Sequence, residues 1–242
     1  MNEESKDLQS IQNLKGVGPK GASSLNNLGI FSISDAAFHL PFRYEDRSFI
    51  TPIGEATFQN TVLIEGEIMK STVVFRGRRM LFSEIYDGTG KLTMRMFNFA
   101  MAQHKALEEG KMIRCFGAIT PGPNGKQMIH PQYQVFEKDE AVEIEKNLTP
   151  IYPTTSGLQQ NKLKKIIESS LDFCERNNLL QEESKNQNYS EYGNLLQTLK
   201  FLHRPPVETD LSELIEGRHP AQKKTYKRRI NCSYALCRYF KK

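Results

Sequence analysis

No apolar run in this 242-residue chain approaches the ~20 residues that carry a helix across a bilayer. Its first positions, Met1 to Asp7, are polar and acidic, unlike the basic and then apolar start of a signal peptide. Neither secretion nor a membrane partner is expected, and a soluble cytoplasmic protein is. The four cysteines (Cys115, Cys174, Cys232 and Cys237) contain no CxxC pair, so neither a disulfide framework nor a zinc site is indicated. There is no G-x-x-x-x-G-K-[ST] loop to cradle ATP phosphates. The nearest string, Gly16 to Ala22, has alanine where the lysine belongs, and Gly90-Lys91 is followed by leucine. The five histidines are dispersed, with no Ser-His-Asp arrangement or metal cluster among them. No catalytic residue, metal or cofactor is assigned to these residues.

An excess of one charge is also nearly absent once its location is considered. The net charge is +5, but eight basic residues and no acid lie in the last twenty positions. Residues 60–136 alone combine ten basic with six acidic residues, whereas 1–59 and 137–222 are both net acidic. A basic middle segment between acidic flanks is the placement a phosphate-binding module needs.

That middle segment carries the clearest pattern. Apolar and polar residues alternate through Val62–Ile68, Arg79–Tyr86 and Leu92–Phe97, which predicts three strands. Asp87-Gly88-Thr89-Gly90 supplies the positive φ that closes a hairpin between the second and third. A helix is expected over Phe99–Glu109, with Gly110 at its C-terminal end. Two more strands are expected over Met112–Ile119 and Gln127–Phe136. Three strands, a helix and two strands is the order of a five-stranded OB-fold barrel, which commonly holds single-stranded nucleic acid. The fold class expected is α+β, with this barrel flanked by an N-terminal helical hairpin region and C-terminal helices. The boundaries expected are 1–59, 60–146 for the barrel, 147–222 for linker and helices, and 223–242 for the basic tail.

In the N-terminal region, Gly16-Val17-Gly18-Pro19 joins two helical stretches. Two readings stay open. It is a helix-hairpin-helix turn in which Gly16, Gly18 and Lys20 hold a phosphate, or an αα-hairpin whose glycines only turn the chain. Ser34 or Asp35 is expected to cap a third short helix, and Thr155 or Ser156 a later one that buries Leu163, Ile166, Ile167, Leu171 and Cys174. Arg43 and Arg47, set among Glu45 and Asp46, read as structural ion-pair formers. His203 reads as a helix C-terminal residue.

Within the barrel, Arg76, Arg78 and Arg79 surround Gly77 in the turn between the first two strands. They suit either a solvated loop or a phosphate-tracking tip. Arg95 lies on the third strand. Phe97 and Phe99 fall on one side of it if the strand persists that far, where either packs in the core or projects from the rim to stack on a base.

Taken together, LKGVGPK (14–20), HLPFRYEDR (39–47), IYDGTGKLTMRMFNF (85–99), IHPQY (129–133), LTPIYPTT (148–155), LHRPP (202–206) and GRHPAQ (217–222) resemble the N-terminal region of the RecG family of bacterial branched-DNA helicases. The resemblance implies a wedge domain that grips a branched junction and parts its strands in recombination and repair. It implies ATP and magnesium in the full-length family, and single-strand-binding protein as a second partner besides branched or single-stranded DNA. It makes Phe97 the ring that stacks on the base pair being parted. The family's second ring falls at Met101, where a softer apolar surface, or Phe99 in its place, is left to make the contact. The resemblance stops at Lys223-Lys224, which suggests a reading-frame shift there and a truncated product without the motor, inactive as an ATPase; the rival is a basic tail that binds nucleic acid. The alternative function is an OB-fold protein-interaction domain.

Overall fold

The computed structural model describes residues 9–180 and 193–225; within these, the side chain of Arg76 lies outside the description. Cys232, Cys237 and the tail beyond residue 225 lie outside it as well. In chain order, a 3₁₀ turn (Ile11–Asn13) precedes α1 (Pro19–Asn26), α2 (Ile33–Ala37) and the short strand β1 (Arg43–Glu45). Then come β2 (Thr61–Arg76), β3 (Arg78–Tyr86), β4 (Lys91–Phe97), α3 (Met101–Ala106), β5 (Met112–Ala118), β6 (Thr120–Gly122), β7 (Gly125–Ile129) and β8 (Gln132–Phe136). The last elements are β9 (Thr149–Ile151), α4 (Gln160–Arg176), α5 (Leu195–His203) and α6 (Leu211–Ile215). Residues 220–225 are also helical. No described helix is long and apolar enough to cross a membrane.

The chain divides into two compact units. Arg47–Glu145 forms one, and the other joins the chain up to Asp46 with the chain from Lys146 on. The first holds a seven-stranded sheet in the order β6-β7-β4-β3-β2-β5-β8. The five strands expected of an OB-fold barrel are therefore seven, in a larger mixed sheet. Pro131 lacks the N–H that a continuous strand needs, and His130 before it takes φ +49°, so the single strand expected over Gln127–Phe136 breaks in two. The halves part company: β7 runs parallel to β4, and β8 antiparallel to β5.

The long strand β2 shapes this sheet. Its first half pairs with β5 and its second with β3, and the register shifts between Ile68 and Lys70. Such a bulge bends the strand and lets one element serve both partners. Ile64, Ile68, Leu81, Ile85, Met94 and Ile113 line the inner face, none exposed, each contributing up to about 2–3 kcal/mol by burial. At Gly66 a Cβ would lie 2.8 Å from both Ile85 Cγ2 and the Tyr86 carbonyl oxygen, so only glycine lets β3 approach that closely. Arg114 of β5 ties to β2 and to the chain after β8, bonding Glu65 through Nε at 2.8 Å and the carbonyls of Val142 and Glu143.

The helical unit is built from both ends of the chain. Leu25, Ile33 and Ala36 share one core with Leu163, Ile167 and Leu199. The α4 face is the one the spacing predicts, with Leu163, Ile166, Ile167, Leu171 and Cys174 buried. The caps differ from expectation. Ser32, not Ser34 or Asp35, caps α2, and Asp35 returns the bond from the third helical position to the Ser32 N–H at 2.8 Å. At α4 neither Thr155 nor Ser156 caps; Gln159 occupies that position without a side-chain bond. Beside the core, β1 pairs antiparallel with β9, and Tyr44 donates its hydroxyl to the Leu202 carbonyl at 2.6 Å. Arg43 pairs with Glu45 at 3.1 Å, whereas Arg47 lies over the Phe116 ring at 4.0 Å. Cys115 and Cys174 are free thiols, and burial raises the pKa of each, which suits packing rather than reactivity.

Candidate nucleic-acid interface

Register decides which side chains share the outer face of the sheet. Phe82 stands between Thr72 and Arg95, and Met80 between Val74 and Phe97, so alternate residues of β2, β3 and β4 face one way and the core residues Leu81, Ile85 and Met94 the other. On that outer face lies a groove of about 390 Å³, lined by Lys70, Thr72, Phe82 and Arg95 and closed at one side by Pro123 and Asn124 of the β6–β7 turn.

Phe97 is the last residue of β4 and only partly buried. Arg78 reaches across from the β2–β3 turn and places its guanidinium carbon 4.0 Å from the ring centroid, with Arg95 at 4.9 Å. Both are within cation–π range. His130 packs on the same ring, centroids 5.3 Å apart, and accepts the Phe97 N–H at its Nε2 (3.2 Å). The His130 N–H in turn donates to the Arg95 carbonyl at 3.0 Å. The positive φ of His130, which broke the strand, thus also aims its ring at Phe97. Arg95 lies 5.4 Å from the Phe82 centroid as well, and its buried Nε has no hydrogen-bond partner.

The cations here are directed at rings rather than acids. Ion pairs in this unit join Lys111, Arg114 and Lys138 to carboxylates, but among the described residues Lys70, Arg78, Arg79 and Arg95 have no carboxylate partner. Glu84, directly opposite Lys70, is an acid among the residues lining the same groove.

Phe99 requires a correction. Asn98 takes φ +49° directly after the strand, so the alternation that would align Phe99 with Phe97 stops. Phe99 is 8% exposed and packs in the sheet core, with Arg79 over its ring at 4.6 Å; it offers no face to a base. Met101, by contrast, is 50% exposed at the start of α3. Arg76 ends β2 opposite Arg78, its side chain outside the described residues. The turn itself narrows to Gly77 at φ +72°, since strand pairing runs as far as Arg76 and Arg78.

Gly16, Gly18 and Lys20 belong to the helical unit. Gly16 takes φ +91°, Gly18 is the N-terminal cap of α1 and Lys20 is exposed, but the preceding helix is a single 3₁₀ turn rather than the longer helical stretch expected. Phe97, Arg78 and Arg95 come together on the outer face, while Phe99, Met101 and Arg79 gather around the base of α3. Lys70, Phe82 and His130 were missed by sequence reasoning. Lys70 and Phe82 were findable by carrying the alternation of Arg95 across the two neighbouring strands. His130 offered no such signal, because its role depends on a backbone turn.

Comparison with known proteins follows the same outline. The family model described as the RecG wedge domain matches residues 10–174. The chain is 38% identical over 221 residues to the ATP-dependent DNA helicase RecG of Escherichia coli K12, covering 90% of this chain and 31% of that protein. The RecG of Haemophilus influenzae is 34% identical over 218 residues, again covering 31% of its length. The chain therefore spans about a third of these curated relatives. Among solved structures, a RecG bound to a three-way DNA junction superposes with a TM-score of 0.68 at 22% identity, over 92% of this chain and 29% of that one.

Proposed function

The chain belongs to the RecG wedge domain family, and from that premise we propose that its sheet unit grips branched DNA at the point where paired strands come apart. The observation that carries this reading is Phe97, a partly exposed ring at a strand end, bracketed by two guanidinium groups that form no ion pair among the described residues. A base entering against that ring replaces Arg78 on the ring face, and the displaced guanidinium is free to move to the adjacent phosphate. Lys70 and Arg95 supply further positive charge along the groove, and Phe82 gives a second flat wall.

The order β7-β4-β3-β2-β5, the parallel β4–β7 pair and the near continuity of β5 and β6 through Ile119 support an OB-type reading of the sheet. In such folds the face read here as the groove takes oligonucleotides. Gly16, Gly18 and Lys20 are read as a separate phosphate contact at the N-terminus of α1. Binding is proposed to need neither nucleotide nor metal; ATP-driven junction movement is proposed for the full-length relatives, with this chain as their strand-parting part. A partner protein such as single-strand-binding protein is proposed to dock on β8, which ends the sheet order and, among the described residues, pairs with β5 alone.

The test compares fork, three-way junction and linear duplex by fluorescence anisotropy. Phe97→Ala should weaken junction binding by ~5- to 150-fold, from ~1–3 kcal/mol per stacked base, and leave the duplex nearly unchanged. Equal losses on all three would refute the stacking role.

A further inference from the structure

A ring at a strand end can work against DNA only if the fold holds it still, and one side chain from outside β4 holds Phe97. In the parallel β4–β7 ladder Arg95 stands beside Ile129, and its carbonyl accepts the His130 N–H at 3.0 Å. The next bond of such a ladder would run from the Phe97 N–H to the His130 carbonyl. His130 instead turns to φ +49° and offers its imidazole, whose Nε2 accepts that N–H at 3.2 Å. The two rings also pack, with centroids 5.3 Å apart and planes tilted by 55°. One residue thus grips both the backbone and the ring of Phe97.

This grip has a condition. A ring nitrogen accepts a hydrogen bond only with its lone pair free, so the imidazole is neutral and carries its single proton on Nδ1. A second proton would go to Nε2 and break the bond to Phe97. It would also set a third cation beside Arg78 and Arg95, whose guanidinium carbons lie 4.0 and 4.9 Å from the Phe97 centroid. Those are the charged groups that β3 and β4 direct at this ring pair. Glu84, an acid on the same face, stands opposite Thr93, four positions or about 13 Å back along β4.

Resting on the wedge reading above, we propose that His130 is the positioning residue for Phe97 and acts as a proton-controlled latch. Neutral, it holds the ring where a base pair meets it; charged, it releases the ring and adds a cation to the face that meets phosphate. Discrimination between branched and linear DNA therefore weakens as the pH falls through the range in which imidazole gains charge, while attraction to any phosphate backbone grows.

The experiment measures the ratio of three-way-junction to linear-duplex affinity for the whole chain, by fluorescence anisotropy at constant salt. His130→Asn keeps a residue that tolerates positive φ but removes the ring. It should lower the ratio ~2- to 10-fold, the worth of one hydrogen bond, and circular dichroism should show the fold unchanged. Combined with Phe97→Ala it should cost nothing beyond Phe97→Ala alone, because a positioning residue acts only through the group it positions. Between about pH 8 and about pH 5.5 the wild-type ratio should fall by a similar ~2- to 10-fold, and that of His130→Asn should stay level. The other histidines titrate in both proteins and cancel. Additive losses in the double variant would make His130 a DNA contact in its own right and overturn the latch. So would a level wild-type profile, or a pH dependence that survives in His130→Asn. If Phe97→Ala lowers the ratio and His130→Asn does not, the latch is wrong and the wedge reading stands; if Phe97→Ala has no effect, both fall.

Discussion

Lowering the pH from 7 to 5 should cost the helical unit about 2 kcal/mol through one side chain, His203. It is fully buried at the end of α5, where its Nε2 bonds the Ala37 carbonyl at 2.8 Å and its Nδ1 the Tyr152 hydroxyl at 3.0 Å. A backbone carbonyl only accepts, so Nε2 carries the proton; burial keeps Tyr152 protonated, so its hydroxyl donates to Nδ1. The neutral ring is thus satisfied on both sides and a second proton has no place. Burial, aided by nearby His39 and opposed by the Ala37 bond, lowers its pKa from 6.5 to about 4. The unfolded chain takes up this proton near pH 6.5 and the folded one only near 4. The stabilisation is therefore complete above 6.5 and is lost as the pH falls between those values. Integrated over that interval it amounts to about 3 kcal/mol, of which about 2 is gone by pH 5. Urea unfolding of the whole chain, followed by far-UV circular dichroism at several pH values, measures it. His203→Gln removes the titrating group while keeping a polar side chain. The wild type should lose about 2 kcal/mol more than the variant between pH 7 and 5, and parallel pH dependences would refute the reasoning.

Two further outcomes test the sheet unit. Arg95→Gln should weaken single-strand and junction binding and reduce the slope of log affinity against log salt by about 0.7–0.9, one phosphate contact; an unchanged slope in a salt titration would remove Arg95 from the phosphate path. Gly66→Ala should destabilise the sheet by about 1–3 kcal/mol, because the new methyl meets the Tyr86 backbone at 2.8 Å. Thermal unfolding that is unchanged within experimental error would mean that β3 has room to withdraw.

Alternation carried most of the information that was legible in the sequence. It located β2, β3, β4 and β5 and the inner face of α4, because strand and helix periods are local and leave a regular trace. What escaped was set by single residues acting through the backbone. Pro131 and His130 split one expected strand into β7 and β8, and Asn98 turned Phe99 inward, away from the face of Phe97. Neither event alters the apolar pattern. The candidate site was legible in part for the same reason: Phe97, Arg78 and Arg95 lie in strands or at a turn, while His130 reaches Phe97 only through a positive-φ bend. His203 was read as a helix end and is one, but its burial depends on Ala37 and Tyr152, each far away in sequence, and no spacing rule reports such a pairing.

The division of the helical core between the two ends of the chain has a consequence for biosynthesis. As the nascent chain leaves the ribosome, Leu25, Ile33 and Ala36 emerge without the residues that will cover them. Leu163, Ile167 and Leu199 follow only after the whole of Arg47–Glu145 has been translated, a delay on the order of ten seconds at cellular elongation rates. The sheet, being one uninterrupted stretch, can close in that interval. The order of completion is thus written into the connectivity: the sheet unit can mature first, while Leu25, Ile33 and Ala36, made before it, are among the last to find their partners.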